Sequence, residues 1–278
     1  MFIQRLITAA IGIPLVAAAI WVGDGLLAAV VALAAFIATM EFAAARHANR
    51  TPMVLLSALA SAALPAAAYA GEEYFLGAIV GVIVVLSAAF TLTNDPPQDV
   101  QDWVWGLATA LYFGALASYL VLLREADGRY TRGWSEYPPQ SIPGYGRDLV
   151  FFTVLTVWAT DTGAYAVGRL IGRHKLAPAI SPGKTIEGTL GSLVTGFIAV
   201  FVLNEVFDLG FALEDRIALG LILPPVIGIG DLAESALKRS LSIKDSSGLV
   251  PGHGGVADRL DSLLFAAPAV YYYLLWVL

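Results

Sequence analysis

Long apolar windows, broken at intervals by charge, proline or glycine, dominate this chain. Each is close to the ~20 residues a helix needs to cross a hydrocarbon core. Nine windows fall near 6–23, 26–45, 53–70, 74–93, 103–123, 148–168, 188–207, 213–232 and 260–278. Backbone polar groups must be satisfied internally in lipid, so such windows become helices. The pattern predicts an all-α, polytopic integral membrane protein with about nine transmembrane helices. The first window, behind Arg5, mimics a signal peptide, but the spans that follow it favour an uncleaved first helix. The second and third are rich in alanine, as in "ALASAALPAAAYA"; small residues allow close helix contact, although a compositional habit would look the same. Residues 1–278 read as a single membrane domain, with scaffold-like spans over 1–123 and the unusual polar motifs over 148–278.

Composition supports that picture. Of 278 residues, 58% are hydrophobic and 14% charged, with a mean hydropathy of +0.74. Soluble domains carry about 25% charged residues. The net charge of −6 and the lack of a dense Lys/Arg tract argue against a nucleic-acid partner. With no cysteine there is no disulfide, thiolate metal site or cysteine nucleophile. Numbering the gaps alternately places Arg5, Arg46, Arg50, Arg169, Arg173, Lys175, Lys184, Lys238, Arg239, Lys244 and Arg259 on the N-terminal side. Arg124, Arg129, Arg132, Arg147 and Arg216 fall on the other. The positive-inside rule then predicts a cytoplasmic N-terminus in the cell membrane. The segments around 161–187 and 231–261 lie on that same side, within reach of a water-soluble metabolite.

Three segments carry candidate chemistry. In "GDLAESALKRS", residues 230–240, Asp231, Glu234, Ser235 and Lys238 share one helical face. That face is either a solvated stripe at a helix end or, given how closely Asp231 follows "LILPPVIGIG", the wall of a hydrated cavity. In "PGHGG", Pro251 breaks a helix and Gly252, Gly254 and Gly255 free the backbone, so N–H groups can turn toward one anion. "VADRLDSLLF" then restarts a helix with Asp258 and Asp261 on one face, a pairing that suits Mg²⁺ carrying phosphate oxygens or, alternatively, caps a helix start. Lys244 and Arg259 add cations, which favours phosphate and metal. The chain has three histidines, so zinc is excluded in practice; His253 is open to acid–base work or to shaping the loop.

The third segment is "WATDTGAYAVGRLIGRHKLAPAISPGKTIEG", residues 158–188. Asp161 falls about 5 Å past the middle of its window, where an unneeded carboxylate costs several kcal/mol. "SPGKT" has half the look of a phosphate loop but lacks the G-x-x-x-x-G-K-[ST] spacing, so P-loop chemistry is not expected. Glu41 reads as a local cap or local pairing partner, and Glu72, Glu73 and "NDPPQDVQD" as short external or surface connections. An intramembrane Asp161 beside Pro/Gly-rich segments would also suit an ion pathway, but a transporter has no need of the arrangement from Lys244 to Asp261.

The run "SALKRSLSIKDSSGLVPGHGGVADRLD", residues 235–261, resembles the signature of the phosphatidate cytidylyltransferases, S-x-x-K-R-x₄-K-D followed by P-G-H-G-G-x-x-D-R-x-D. "WATDTGAYAVGRLIGRHKLAPAISPGKTIEGTLG" and "GDLAESALKR" are similar to further segments of that family. One departure is Gly183, where many members carry a second basic residue. The resemblance implies the reaction of CTP with phosphatidate to give CDP-diacylglycerol and pyrophosphate, for phospholipid biosynthesis. It implies Mg²⁺ as cofactor, compatible with a monovalent cation such as K⁺, and leaves a homodimer open. Asp231 and Asp258 are then the leading Mg²⁺ ligands, with Asp261 and Asp161 as further ligands or orienting groups. Lys238, Arg239, Lys244 and Arg259 would hold phosphates, helped by the Gly252–Gly255 backbone. Ser181 and Lys184 would contact nucleotide or lipid phosphate. The D-G-x₂-A-R-x₈-G-x₃-D-x₃-D spacing of CDP-alcohol phosphotransferases is absent.

Overall fold

A computed structural model describes residues 2–46, 51–92, 100–127, 144–250, 252 and 254–277, without the side chains of 2–7, 9 and 51. His253 and Pro251, the stretch 94–99 of "NDPPQDVQD", and Arg50, Arg129 and Arg132 lie outside the described residues. The helices are α1 (Phe2–Val22), α2 (Asp24–Arg46), α3 (Thr51–Ala70), α4 (Glu72–Leu92), α5 (Val100–Thr109), α6 (Leu116–Arg124), α7 (Tyr145–Ile171), α8 (Ile186–Phe207), α9 (Leu213–Ser240), α10 (Ala257–Leu260) and α11 (Leu263–Val277). A π-helical turn, Ala110–Ala115, joins α5 to α6. Among the described residues, eight helical bodies are long and apolar enough to cross a membrane, and α1 adds a shorter apolar stretch, Ala10–Val22. The protein is all-α and polytopic. Among the described residues the one sheet is a small antiparallel hairpin, β1 (Lys175–Ala177) with β2 (Ser181–Thr185).

The chain divides into two compact units, 1–125 with 245–260, and 126–244 with 261–278. The segment 245–260 groups with the N-terminal helices. Glu41 of α2 bonds to that segment, as described below. In the first unit, Ala35, Ala38 and Ala58 are fully buried where α2 and α3 pack, so the alanines act as contact residues. Phe42 and Phe113 pack at a tilt of 53° with ring centroids 5.1 Å apart. Asp102, expected in a surface connection, is buried in the first turn of α5 with a carboxylate oxygen 3.9 Å from Arg46 Nε.

In the second unit α7 and α8 meet through glycine. A methyl added at Gly191 would lie 2.6 Å from Val167 Cβ and 3.1 Å from the Gly163 carbonyl, so only glycine permits this approach. The hairpin fills the turn between the two helices. Glu187 accepts hydrogen bonds from the backbone N–H groups of Arg173 (3.1 Å) and His174 (3.2 Å), and its other oxygen lies 2.6 Å from His174 Nδ1. Thr185 caps α8 by accepting from Gly188 N–H at 3.1 Å. At the start of α9, Asp215 accepts from Tyr273 Oη of α11 at 2.8 Å.

Two sequence expectations about helices are corrected. The helical reading of 230–240 holds, since α9 runs from the apolar window on to Ser240; the correction there concerns its face, which is not solvated. Its polar continuation is held by Lys238–Glu234 and Ser235–Asp231 pairs one turn apart, with Lys238 and Arg239 at the negative end of the helix dipole. Conversely, "VADRLDSLLF" is not one helix: α10 stops at Leu260 and α11 starts at Leu263. Asp261 Oδ1 accepts from Ser262 N–H at 2.7 Å, a local bond that competes with helical continuation. Asp258 and Asp261 therefore do not share a helix face.

Candidate active site

Within the second unit, four residues far apart in sequence converge. Lys184 Nζ, from β2, lies 2.9 Å from Asp231 Oδ2 and 3.4 Å from the Gly228 carbonyl, both on α9. A methyl at Gly230 would stand 2.9 Å from the Asp261 carbonyl, so the missing side chain lets the start of α11 press against α9. Asp161 of α7 is exposed and feels the charges of Asp261 and Asp231, opposed by that of Lys184. With α7 running Tyr145–Ile171, Asp161 sits three residues past the helix centre. One ion pair, Lys184–Asp231, thus stands within the electrostatic reach of Asp161, which also feels Asp261.

The polar face of α9 is not a solvated stripe. Glu234 is fully buried, and its Oε1 lies 3.4 Å from Lys238 Nζ. Ser235 Oγ donates to Asp231 Oδ1 at 3.4 Å. Arg239 ties the hairpin turn to the following loop, donating from Nε to the Ile180 carbonyl (3.1 Å) and from Nη1 to the Ile243 carbonyl (2.9 Å). Ser181 opens β2 and is half-buried, while Lys244 is exposed. Gly183 is open: a methyl there would meet nothing within 4 Å.

The glycine loop belongs to the first unit. Gly252 and Gly254 have φ of 76° and 82°, values that favour glycine, and Val250 N–H donates to the Gly254 carbonyl at 2.8 Å. The anion this backbone approaches is the protein's own. Gly255 N–H donates to Asp258 Oδ2 at 2.8 Å, and Ser246 N–H donates to the same oxygen at 3.0 Å. Val256 and Ala257 N–H groups donate to Glu41 at 3.0 Å each. Asp258 is buried and Arg259 exposed.

Glu41 was read from sequence as a local cap, and that reading is overturned, since its partners lie 205 to 216 residues away. Ser246 and Ser247 were also missed, although they sit inside the signature and a serine pair before a glycine loop offers hydroxyl donors. For Glu41 the sequence holds no signal beyond a carboxylate near the end of an apolar window.

Asp161, Asp231 and Asp261 in the second unit, and Asp258 in the first, are each hard oxygen donors of the kind that suits Mg²⁺. Among the described residues no three acidic or histidine side chains draw together as a closed metal cage. Mg²⁺ does not require one, since it commonly takes one or two carboxylates and completes its shell with water and phosphate oxygens. Asp231 already carries a cation, the Lys184 ammonium. The residues fit the ion.

Comparison with known proteins settles the family. The model of the cytidylyltransferase family matches residues 3–277. The chain belongs to that family. A phosphatidate cytidylyltransferase of Synechocystis sp. is 33% identical, over 99% of this chain and 97% of the relative. One from Bacillus subtilis is 33% identical over 71% of this chain and 66% of its own length. One from Staphylococcus saprophyticus is 38% identical over 66% and 76%. Family membership agrees with the resemblance seen at residues 235–261.

Proposed function

We propose a Mg²⁺-dependent course for the reaction of this chain, which transfers the cytidylyl group of CTP to phosphatidate, giving CDP-diacylglycerol and pyrophosphate. A phosphatidate phosphate oxygen attacks the α-phosphorus of CTP. The new P–O bond forms as the bond to the β-phosphate oxygen breaks, and pyrophosphate leaves with that electron pair. The phosphate monoester is largely ionised at neutral pH, so the attack needs no strong general base. Bringing two polyanions together is the main barrier, and fixed positive charge and positioning lower it.

The observation that carries this reading is the Lys184–Asp231 pair, which sets a cation and a metal-competent carboxylate side by side, one on the hairpin and one on α9. Asp231 and Asp258 are the leading residues to hold Mg²⁺, with Asp261 and Asp161 as further ligands or orienting groups; when bound, the ion neutralises phosphate charge. Lys244 and Arg259 are exposed cations suited to triphosphate or lipid phosphate. Lys238 and Arg239, committed to Glu234 and to backbone carbonyls, shape the surrounding elements. The positive-inside bias supports an active site facing the cytoplasm.

Purified protein in detergent micelles, given phosphatidate and radiolabelled CTP, should form labelled lipid and pyrophosphate with Mg²⁺ and not with EDTA. Absence of labelled lipid under every condition refutes the function. Near-normal turnover by folded Asp231→Asn and Asp258→Asn proteins refutes the metal assignment.

A further inference from the structure

Within the first unit one side chain holds both ends of the glycine loop. Glu41 Oε1 accepts from Ser247 Oγ (2.5 Å) and Val256 N–H (3.0 Å). Its Oε2 accepts from Ala257 N–H (3.0 Å) and lies 2.9 Å from Ser246 Oγ. An ionised carboxylate offers about four acceptor sites, of which three are taken by Ser247, Val256 and Ala257 and the fourth faces the Ser246 hydroxyl. The Ser246 hydroxyl is also 3.1 Å from Asp258 Oδ2. Having one hydrogen, it bridges the two carboxylates rather than serving either alone. Gly255 closes the cluster, because a methyl there would lie 2.6 Å from Glu41 Oε1 and would strike Ser246 Oγ.

We infer that Glu41 is a positioning residue for cytidylyl transfer, fixing the loop 245–257 and, through Ser246, the orientation of the Asp258 carboxylate. The role rests on the reading of Asp258 as a Mg²⁺ ligand. A rigid helix is an effective place for such an anchor. The loop is rich in glycine and has little apolar surface of its own, so without a fixed partner it would sample many conformations. Glu41 clasps residues on either side of the turn, at 246–247 and at 256–257, and sets where α10 begins. Groups that orient metal ligands typically matter 10–100-fold for metal affinity.

Three variants test this in the full-length protein in lipid nanodiscs. Glu41→Gln keeps the size of the side chain but replaces one acceptor oxygen with an NH₂ group, which cannot accept from an N–H. Hydrogen exchange of peptides covering 254–258 should accelerate about tenfold or more. Mg²⁺ binding measured by calorimetry without substrate should weaken about tenfold. The CTP KM should rise more than kcat falls, with the unfolding midpoint nearly unchanged. Glu41→Asp, one methylene short, should not rescue these properties. Ser247→Ala, which removes one bond and threatens folding least, should shift exchange and Mg²⁺ binding in the same direction by about threefold.

A lowered unfolding midpoint with unchanged exchange and Mg²⁺ binding would overturn the proposal, since Glu41 would then be structural only. A lower CTP KM in Glu41→Gln would also overturn it, because Glu41 would be competing with phosphate for the loop donors. Wild-type protein that turns over without Mg²⁺ would refute the metal reading and this role with it. A strictly Mg²⁺-dependent wild type with an unaltered Glu41→Gln variant would refute the Glu41 role alone.

Discussion

Replacing Lys238 with methionine should destabilise the protein rather than simply weaken its hold on CTP. Lys238 Nζ stands 3.4 Å from Glu234 Oε1; the Glu234 side chain is 0% exposed and that of Lys238 12%. At an effective dielectric constant near 20, charges at that separation attract by about 5 kcal/mol. Much of this attraction is offset by the desolvation of both groups, so the pair adds little net stability. Breaking it from one side is different, because a buried carboxylate loses its countercharge at a cost of about 3–5 kcal/mol. Methionine preserves the unbranched stem and isolates the effect of charge. Unfolding of purified wild type, Lys238→Met, Glu234→Gln and the double variant should be followed by circular dichroism in one detergent. Lys238→Met should lower the midpoint by several degrees, and the added Glu234→Gln should recover most of the loss. If Lys238→Met melts with wild type while its CTP KM rises tenfold, the pair is incidental and the lysine is a phosphate ligand.

Two further outcomes follow from glycine positions. Gly191→Leu should separate α7 from α8, since even its Cβ would press on Val167 and the Gly163 carbonyl; a loss of about 1–3 kcal/mol or more is expected, read as a lower midpoint in the same assay. Gly183→Lys should fold normally, because the position is open, and should lower the CTP KM by supplying the second cation common in the family. An unchanged KM would place that cation away from the nucleotide.

The helices were legible because membrane insertion imposes a simple rule. Every apolar window near 20 residues became helical, although 103–123 carries a π-helical turn and 260–278 starts with a break after α10. Helix α9 continued past Asp231 because Glu234 could bury against Lys238, a pairing that hydropathy registers only as charge. The break after α10 was hidden for the opposite reason: alternation of polar and apolar residues through 256–265 suits a helix, and only the Asp261–Ser262 bond interrupts it. The hairpin was missed because a five-residue strand such as "SPGKT" carries no hydrophobic alternation. The signature itself was read directly, since its residues are contiguous. Glu41 was not, because a bond across more than 200 residues leaves no local pattern.

The bond between Glu41 and the loop also bears on how the chain is threaded. The end of α2 and the loop after α9 can meet only if an even number of crossings separates them. The windows between them are α3, α4, the α5–α6 body, α7, α8 and α9, which is six. The hydrogen bonds of Glu41 therefore support the crossing count independently of charge bias. They bring the end of α2, near Arg46, against residues 246–257, which agrees with the expectation from the distribution of arginine and lysine. The absolute direction rests on the positive-inside rule alone. A chain that must carry a soluble nucleotide's phosphates to a lipid headgroup needs its polar loop at one fixed depth. Anchoring that loop to a long apolar helix through the Glu41 carboxylate answers that need.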